Sequence, residues 1–153
     1  IPVMESSFKE LSTLKKLASA PLSKIKFLTK KINYYKTKSK NAKATAQILI
    51  EKHRGKVPDT IEKLMELPGA GRKTANLVLS EIYYKNTICV DTHVHRISNV
   101  LGLVKTKTPH KTELALQKIA PEKYWSKINR IFVLWGKEVP GRDKKKLLRK
   151  LEE

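Results

Sequence analysis

A lysine, an aspartate and a glycine turn are the groups in this sequence whose types and spacing could do chemistry. Lys73 follows Leu67-Pro68-Gly69-Ala70-Gly71-Arg72 and falls in the first turn of an expected helix. The positive end of a helix disfavours a charged ammonium there, by ~0.3 to 1 kcal/mol at an exposed site. Desolvation and neighbouring Arg72 would have to supply the rest of what an amine nucleophile needs. The other role open to Lys73 is a cation that holds a phosphate. Asp91 lies eighteen residues further on, directly before Thr92 and another expected helix. Its carboxylate can cap that helix or stabilise a cation. The Gly69-Ala70-Gly71 turn leaves room for a phosphate oxygen to approach backbone N–H groups at a helix start. Two familiar phosphate loops fail on spacing: Arg72 interrupts a Walker A pattern, and Thr74 stands where a dinucleotide fingerprint needs its third glycine. Asp91, His93 and His95 alternate like metal ligands, but no third group of firm spacing joins them, so no metal site is read. His53 and His110 support no assignment.

These groups need elements to hold them. Apolar residues recur at helical spacing and period-2 alternation is absent, which makes the expected fold class all-α. Phe8, Leu11 and Leu14 begin one stripe, and Ser23 is placed to cap a helix that carries Ile25, Leu28 and Ile32. Residues 41–53 present Ala42, Ala46, Leu49 and Ile50 inward. Asp59 and Glu62 have capping-box spacing before Ile61, Leu64 and Met65. Pro68 and the glycines stop that helix, and the next one buries Ala75, Val78, Leu79 and Ile82. Together they make a helix-hairpin-helix over 59–83. Residues 86–90 read as extended, and Thr92 can cap a helix with Val94, Ile97 and Leu101. Pro109 and Pro121 suit first helical positions. The second begins a helix with Trp125, Ile128, Ile131, Phe132 and Trp135 on one core-facing side.

The chain's 153 residues suffice for one core and not two. Lys and Arg number 33 against 14 acids, a net charge of +19, while 40% of residues are apolar. A folded domain with that excess implies a polyanionic partner. Residues 24–56 carry eleven basic groups against one acid, and residues 137–150 carry seven against two. Tyr34, Tyr35, Lys36 and Lys38 share the first cluster, in a stretch that reads as a loop where aromatics can meet bases. The second cluster is either a basic surface or a frayed, solvated helix. One cysteine, Cys89, excludes an intrachain disulfide and any site built from several thiolates. That cysteine usage fits an intracellular, cytoplasmic or nucleoid location, and because no apolar run approaches the ~20 residues that span a bilayer, no membrane partner is expected.

Residues 67–103, LPGAGRKTANLVLSEIYYKNTICVDTHVHRISNVLGL, closely resemble the endonuclease III group of DNA base-excision glycosylases, whose hallmark is a helix-hairpin-helix followed by a Gly/Pro-containing stretch and an aspartate. The likeness continues more weakly from near residue 1 to about Gly136. It implies a six-helix-barrel glycosylase domain over 1–136 and a basic helix or tail over 137–153. It also implies a bifunctional DNA glycosylase and AP lyase acting on oxidised pyrimidines. In that scheme Lys73 is the Schiff-base lysine and Asp91 the catalytic aspartate. Leu67, Gly69, Ala70, Gly71, Arg72 and His93 then meet DNA, Tyr34 takes the wedge position, and Lys36 and Lys38 meet the backbone. The partner implied is double-stranded DNA with damaged bases or abasic sites, bound by a monomer. The resemblance departs in three respects. The four cysteines that bind an iron–sulfur cluster in many relatives are absent, with Pro140, Leu147 and Lys150 near three of their places, so no cofactor is expected. The Gln-containing, DNA-inserting segment should precede Ile1. Val100 replaces a commonly basic residue. The alternatives are a non-catalytic DNA-binding module and a mismatch-directed glycosylase.

Overall fold

The computed structural model describes residues 9–149; Phe8 and Lys150 lie outside them. Nine α-helices and one 3₁₀ turn are assigned there, and no strand, so the fold class is all-helical. The helices are α1 (Leu14–Ser19), α2 (Leu22–Thr29), α3 (Tyr35–His53), α4 (Ile61–Met65), α5 (Arg72–Tyr83), α6 (Thr92–Leu101), α7 (Pro109–Ile119), α8 (Trp125–Glu138) and α9 (Lys144–Arg149). The described residues form two compact units that divide between Gly71 and Arg72, where the sequence reads as one core.

In the first unit Ile25, Ala46, Leu49, Leu64 and Leu67 are buried. The α3 helix starts six residues earlier than expected, so Lys36 and Lys38 stand on its exposed first turn and not in a loop. Ser39 explains the extension: its hydroxyl donates back to Tyr35 O (2.7 Å) and meets Thr29 Oγ1 (2.8 Å), tying the added turn to α2. Lys43 donates to Ala20 O at 2.8 Å, on the α1–α2 connection. Ser23 does not cap α2. Pro21 holds the N-cap position and Ser23 lies inside the helix, while Ile32 falls beyond its end. Ala42 is exposed. The expected Asp59 cap gives way to Thr60, whose hydroxyl accepts from Lys63 N. Thr60 is the residue with extended backbone at the helix entry, which is the conformation a cap requires.

The second unit is built around Ile88, Val90, Val94, Val104 and Leu116, packed by Trp125, Ile128 and Phe132. A second cluster joins Ile97, Trp135 and Leu147. Residues 84–90 are irregular chain and not a strand. The buried Asn76 pins them to α5, its side-chain amide donating to Ile88 O (3.0 Å) and its backbone carbonyl accepting from the Thr87 hydroxyl (2.7 Å). Pro109 stands at the first position of α7, as expected, whereas Pro121 precedes a 3₁₀ turn, Glu122–Tyr124, that leads into α8. Ile82 and Ile131, expected inward, are 60% and 54% exposed. The segment after α8 is ordered by Arg96, whose guanidinium donates to the carbonyls of Gly136, Val139 and Gly141. The α9 helix is docked and not frayed: Asp143 caps it and Leu147 is fully buried.

Candidate functional site

Lys73 is the second residue of α5, and Asp91 ends the irregular segment that Asn76 fastens to that helix. Two bonds from Cys89 hold the approach. Cys89 Sγ donates to Lys73 O (3.4 Å), and Cys89 O accepts from Asn129 Nδ2 of α8 (2.9 Å). The result is a cleft of ≈ 420 Å³ lined by Arg72, Lys73, Val90, Asp91, Thr92, Pro109, His110 and Glu113. The amine and the carboxylate singled out from spacing therefore share one cavity.

Asp91, one of the two residues placed to cap α6, is its N-cap, and Thr92 is the helix's first residue. Asp91 Oδ1 accepts from Val94 N at 2.9 Å. Capping by a carboxylate is favoured by the helix's positive end, and the bond fixes the group's direction. The same residue lines the cleft.

Arg72 has a partner that the sequence did not reveal. Its Nε and Nη2 donate to the two carboxylate oxygens of Glu113, each at 2.9 Å, and Glu113 is buried. The guanidinium thus forms a wall of the cleft, and its charge is compensated by Glu113 instead of acting on Lys73 alone. Glu113 was missed because its partner lies forty-one residues away in sequence; only its place one turn after Thr108-Pro109 marked a helix face. His110, left unassigned above, stands on that same face and lines the same cleft.

His93 is half-buried and does not line the cleft. Its Nδ1 is buried without a partner, against Gly136 of α8. His95 Nδ1 meets Thr112 Oγ1 at 2.6 Å, within a chain that continues to Thr106 and Asn99. The alternating Asp91, His93 and His95 thus serve three different local purposes. Among the described residues no group of three or more His, Cys, Asp or Glu side chains could hold a metal ion. The single Cys89 is buried beside Lys73, and burial pushes its thiol up to about 11, above the usual range, with Asp91 and Glu113 adding to the rise and Lys73 opposing it. A protonated thiol at neutral pH is neither a nucleophile nor a ligand. Where relatives would hold cluster cysteines, Pro140 cannot coordinate and Leu147 is core, so these residues do not fit an iron–sulfur cluster.

The remaining candidates belong to the first unit. Leu67 is buried, so its side chain serves the core and is unavailable to a ligand. Gly69 has φ +79°, which favours glycine, and a Cβ there would come within 2.5 Å of Asn41 Nδ2, so that side chain would have to turn aside. Gly71 has nothing within 4 Å of where a Cβ would sit, leaving the turn open beyond Ala70. Tyr34 caps α3 in the left-handed conformation, φ 58°, and is 83% exposed. A bulky side chain rarely adopts that conformation, and here it turns the ring outward next to Lys36 and Lys38.

Residues 1–122 match the family described as HhH-GPD superfamily base excision DNA repair protein. Endonuclease III of Thermotoga maritima is 46% identical over 132 residues, which is 86% of this chain and 62% of that protein. Endonuclease III of Buchnera aphidicola (subsp. Baizongia pistaciae) is 42% identical over 110 residues, 72% of this chain and 51% of the relative. The chain thus spans less than two thirds of the length of these relatives. Among solved structures, a trapped covalent intermediate of endonuclease III with DNA superposes with a TM-score of 0.85 at 33% identity, covering 90% of this chain and 65% of that one. With the hairpin residues, the Lys73–Asp91 cleft and a match over 1–122 all in agreement, the chain belongs to the HhH-GPD superfamily of base excision DNA repair proteins.

Proposed function

We propose that the chain is the catalytic part of a bifunctional DNA glycosylase and AP lyase that removes oxidised pyrimidines from double-stranded DNA inside the cell. The observation that carries this reading is the shared cleft of Lys73 and Asp91. A phosphate-binding lysine needs no carboxylate opposite it, whereas imine chemistry at a sugar uses both. The lesion nucleotide is turned out of the stack so that C1′ enters the cleft. The neutral amine of Lys73 attacks C1′, the C1′–N bond to the damaged base breaks, and its electron pair leaves with the base. Asp91 stabilises the positive charge that develops on the sugar. Loss of the ring oxygen from C1′ gives an iminium linking Lys73 to the sugar, which draws electrons from C2′ and permits the 3′ phosphate to be eliminated. No cofactor enters these steps.

The DNA would be held by the open Gly69-Ala70-Gly71 turn and by Lys36 and Lys38, with the outward Tyr34 ring filling the gap left by the flipped nucleotide. The endonuclease III–DNA complexes among the structural neighbours support a DNA partner. The deciding experiment is borohydride reduction on duplexes carrying an oxidised pyrimidine or an abasic site. A covalent adduct mapped to Lys73 by peptide mass spectrometry, and lost in Lys73→Gln with DNA affinity retained, is the expected result. Absence of any adduct would replace the enzyme with a non-catalytic DNA-binding module.

A further inference from the structure

The cleft holds four side chains able to accept a proton, and three of them are committed. Both oxygens of Glu113 take hydrogen bonds from Arg72. Asp91 accepts from Val94 N and is needed as an anion facing the sugar cation. The nitrogen of Lys73 becomes the imine. His110 remains: it is exposed, lines the same cavity, and makes no side-chain hydrogen bond among the described residues. From these relations we infer that His110 is the proton-transfer residue of the strand-cleavage step, a role that rests on the lysine reading proposed above.

The placement of His110 is built into α7. Pro109 at the first position and the Thr108 hydroxyl, accepting from Lys111 N at 3.3 Å, fix where the helix starts. Buried Thr112 and Glu113 then fix its rotation, one through His95 and Thr106, the other through Arg72. Residues three apart share a helix face, so anchoring Glu113 aims His110 at the cavity. The groups charged or titratable around the imidazole are Arg72 and Lys73 of α5, Asp91 at the start of α6, and Glu113 of its own helix. Imidazole is the side chain that accepts and returns protons around neutral pH.

The step balances as follows. A neutral nitrogen of His110 takes the C2′ proton, and the C2′–H electron pair becomes the C1′=C2′ bond as the iminium pair returns to Lys73 Nζ. That nitrogen pair then re-forms the iminium, the C1′=C2′ pair moves to C2′=C3′, and the C3′–O3′ bond breaks with its electrons on the departing phosphate. The imidazolium returns its proton to water when the iminium is hydrolysed.

The test compares His110→Ala and the size-matched His110→Gln with the unaltered chain on an end-labelled abasic duplex. Borohydride trapping reads imine formation, and strand scission without borohydride reads elimination. General-base loss costs on the order of 10²- to 10⁴-fold, so the expected result is trapping within about twofold of the parent, scission at least tenfold slower, and partial rescue by added imidazole. Scission at the parent rate, or equal losses of trapping and scission in both variants, would overturn the role. Failure of the unaltered chain to trap would instead remove the lysine reading, and this inference with it.

Discussion

Arg72 and Glu113 meet through two parallel hydrogen bonds of 2.9 Å, joining the start of α5 to the middle of α7 across the candidate cleft. The pair fixes part of the cleft's lining and leaves neither an unpaired buried carboxylate nor an uncompensated guanidinium there.

Breaking this pair from the buried side should be costly. Leaving one member of a buried pair alone costs about 3 to 5 kcal/mol. Arg72 is one-third exposed and can turn to water, so Glu113→Gln should destabilise the chain by about 2 kcal/mol in urea unfolding. Replacing both, as Arg72→Met with Glu113→Leu, should recover most of that loss, because neither charge is then stranded. A double variant as unstable as the single one would show that the pair contributes packing and not charge.

Gly136 is required by His93. A Cβ at 136 would overlap the imidazole and crowd its Cβ at 3.0 Å, close to the backbone, where the ring cannot swing clear. Helix propensity alone would make Gly136→Ala stabilising by about 1 kcal/mol. The overlap should reverse the sign, giving a loss of about 1 to 3 kcal/mol, and His93→Ala in the same chain should restore the gain. Thermal unfolding of the three variants checks the coupling.

Lys73 and Asp91, which share the candidate cleft, were legible because each sits at a helix start. Which residue caps was not. Asp59-Thr60 and Asp91-Thr92 offer the same two side chains in the same order, yet Thr60 caps one helix and Asp91 the other. Either side chain is competent, and the choice falls on whichever residue tertiary packing leaves with extended backbone. Ile82 and Ile131 lie on the correct helices but at the edges of the buried stripes, whose width depends on neighbours that periodicity does not reveal. Arg72–Glu113 and the Asn76 clasp on residues 84–90 were invisible for the same reason: each joins residues distant in sequence.

Cys89 should make stability depend on alkaline pH. Burial holds its folded-state value at about 11, above the ordinary 9.0. Between those values the unfolded chain loses the thiol proton and the folded chain keeps it, so the folded state binds more protons and its stability falls as pH rises. The contribution is complete below about pH 9 and is lost toward pH 11, amounting to about 2 to 3 kcal/mol at about 1.36 kcal/mol per unit. Cys89→Ala should flatten this part of the stability profile relative to the parent; parallel profiles would show that lysines and tyrosines account for the slope.

The exposed first turn of α3 should set part of the salt dependence of DNA binding. Each phosphate neutralised contributes about 0.9 to the slope of log affinity against log salt. Replacing Lys36 and Lys38 with Ala should reduce the slope by up to about 2 and weaken intact and damaged duplexes alike. An unchanged slope would leave these lysines as solvated surface.

Asp91 is both a helix cap and, in the proposed reaction, the anion facing the sugar, and substitution can separate the two roles. Asn equals Asp as an N-cap, since its side-chain oxygen accepts the same bond from Val94 N. Asp91→Asn should therefore melt within about 0.5 kcal/mol of the parent while losing the charge. Removing a group that stabilises developing charge costs about 10²- to 10³-fold in rate, and single-turnover base release should slow by that factor with DNA affinity retained. Asp91→Ala should show the same slowing plus a loss of about 1 kcal/mol in stability from the missing cap. Pre-formed abasic sites discriminate further, because the base is already gone: Asp91→Asn should trap on them far better than on a lesion, while Lys73→Gln traps on neither. Should the Asn variant release base at the parent rate and only the Ala variant fail, the carboxylate would be a cap alone, and the sugar cation would have to find its stabilising charge elsewhere.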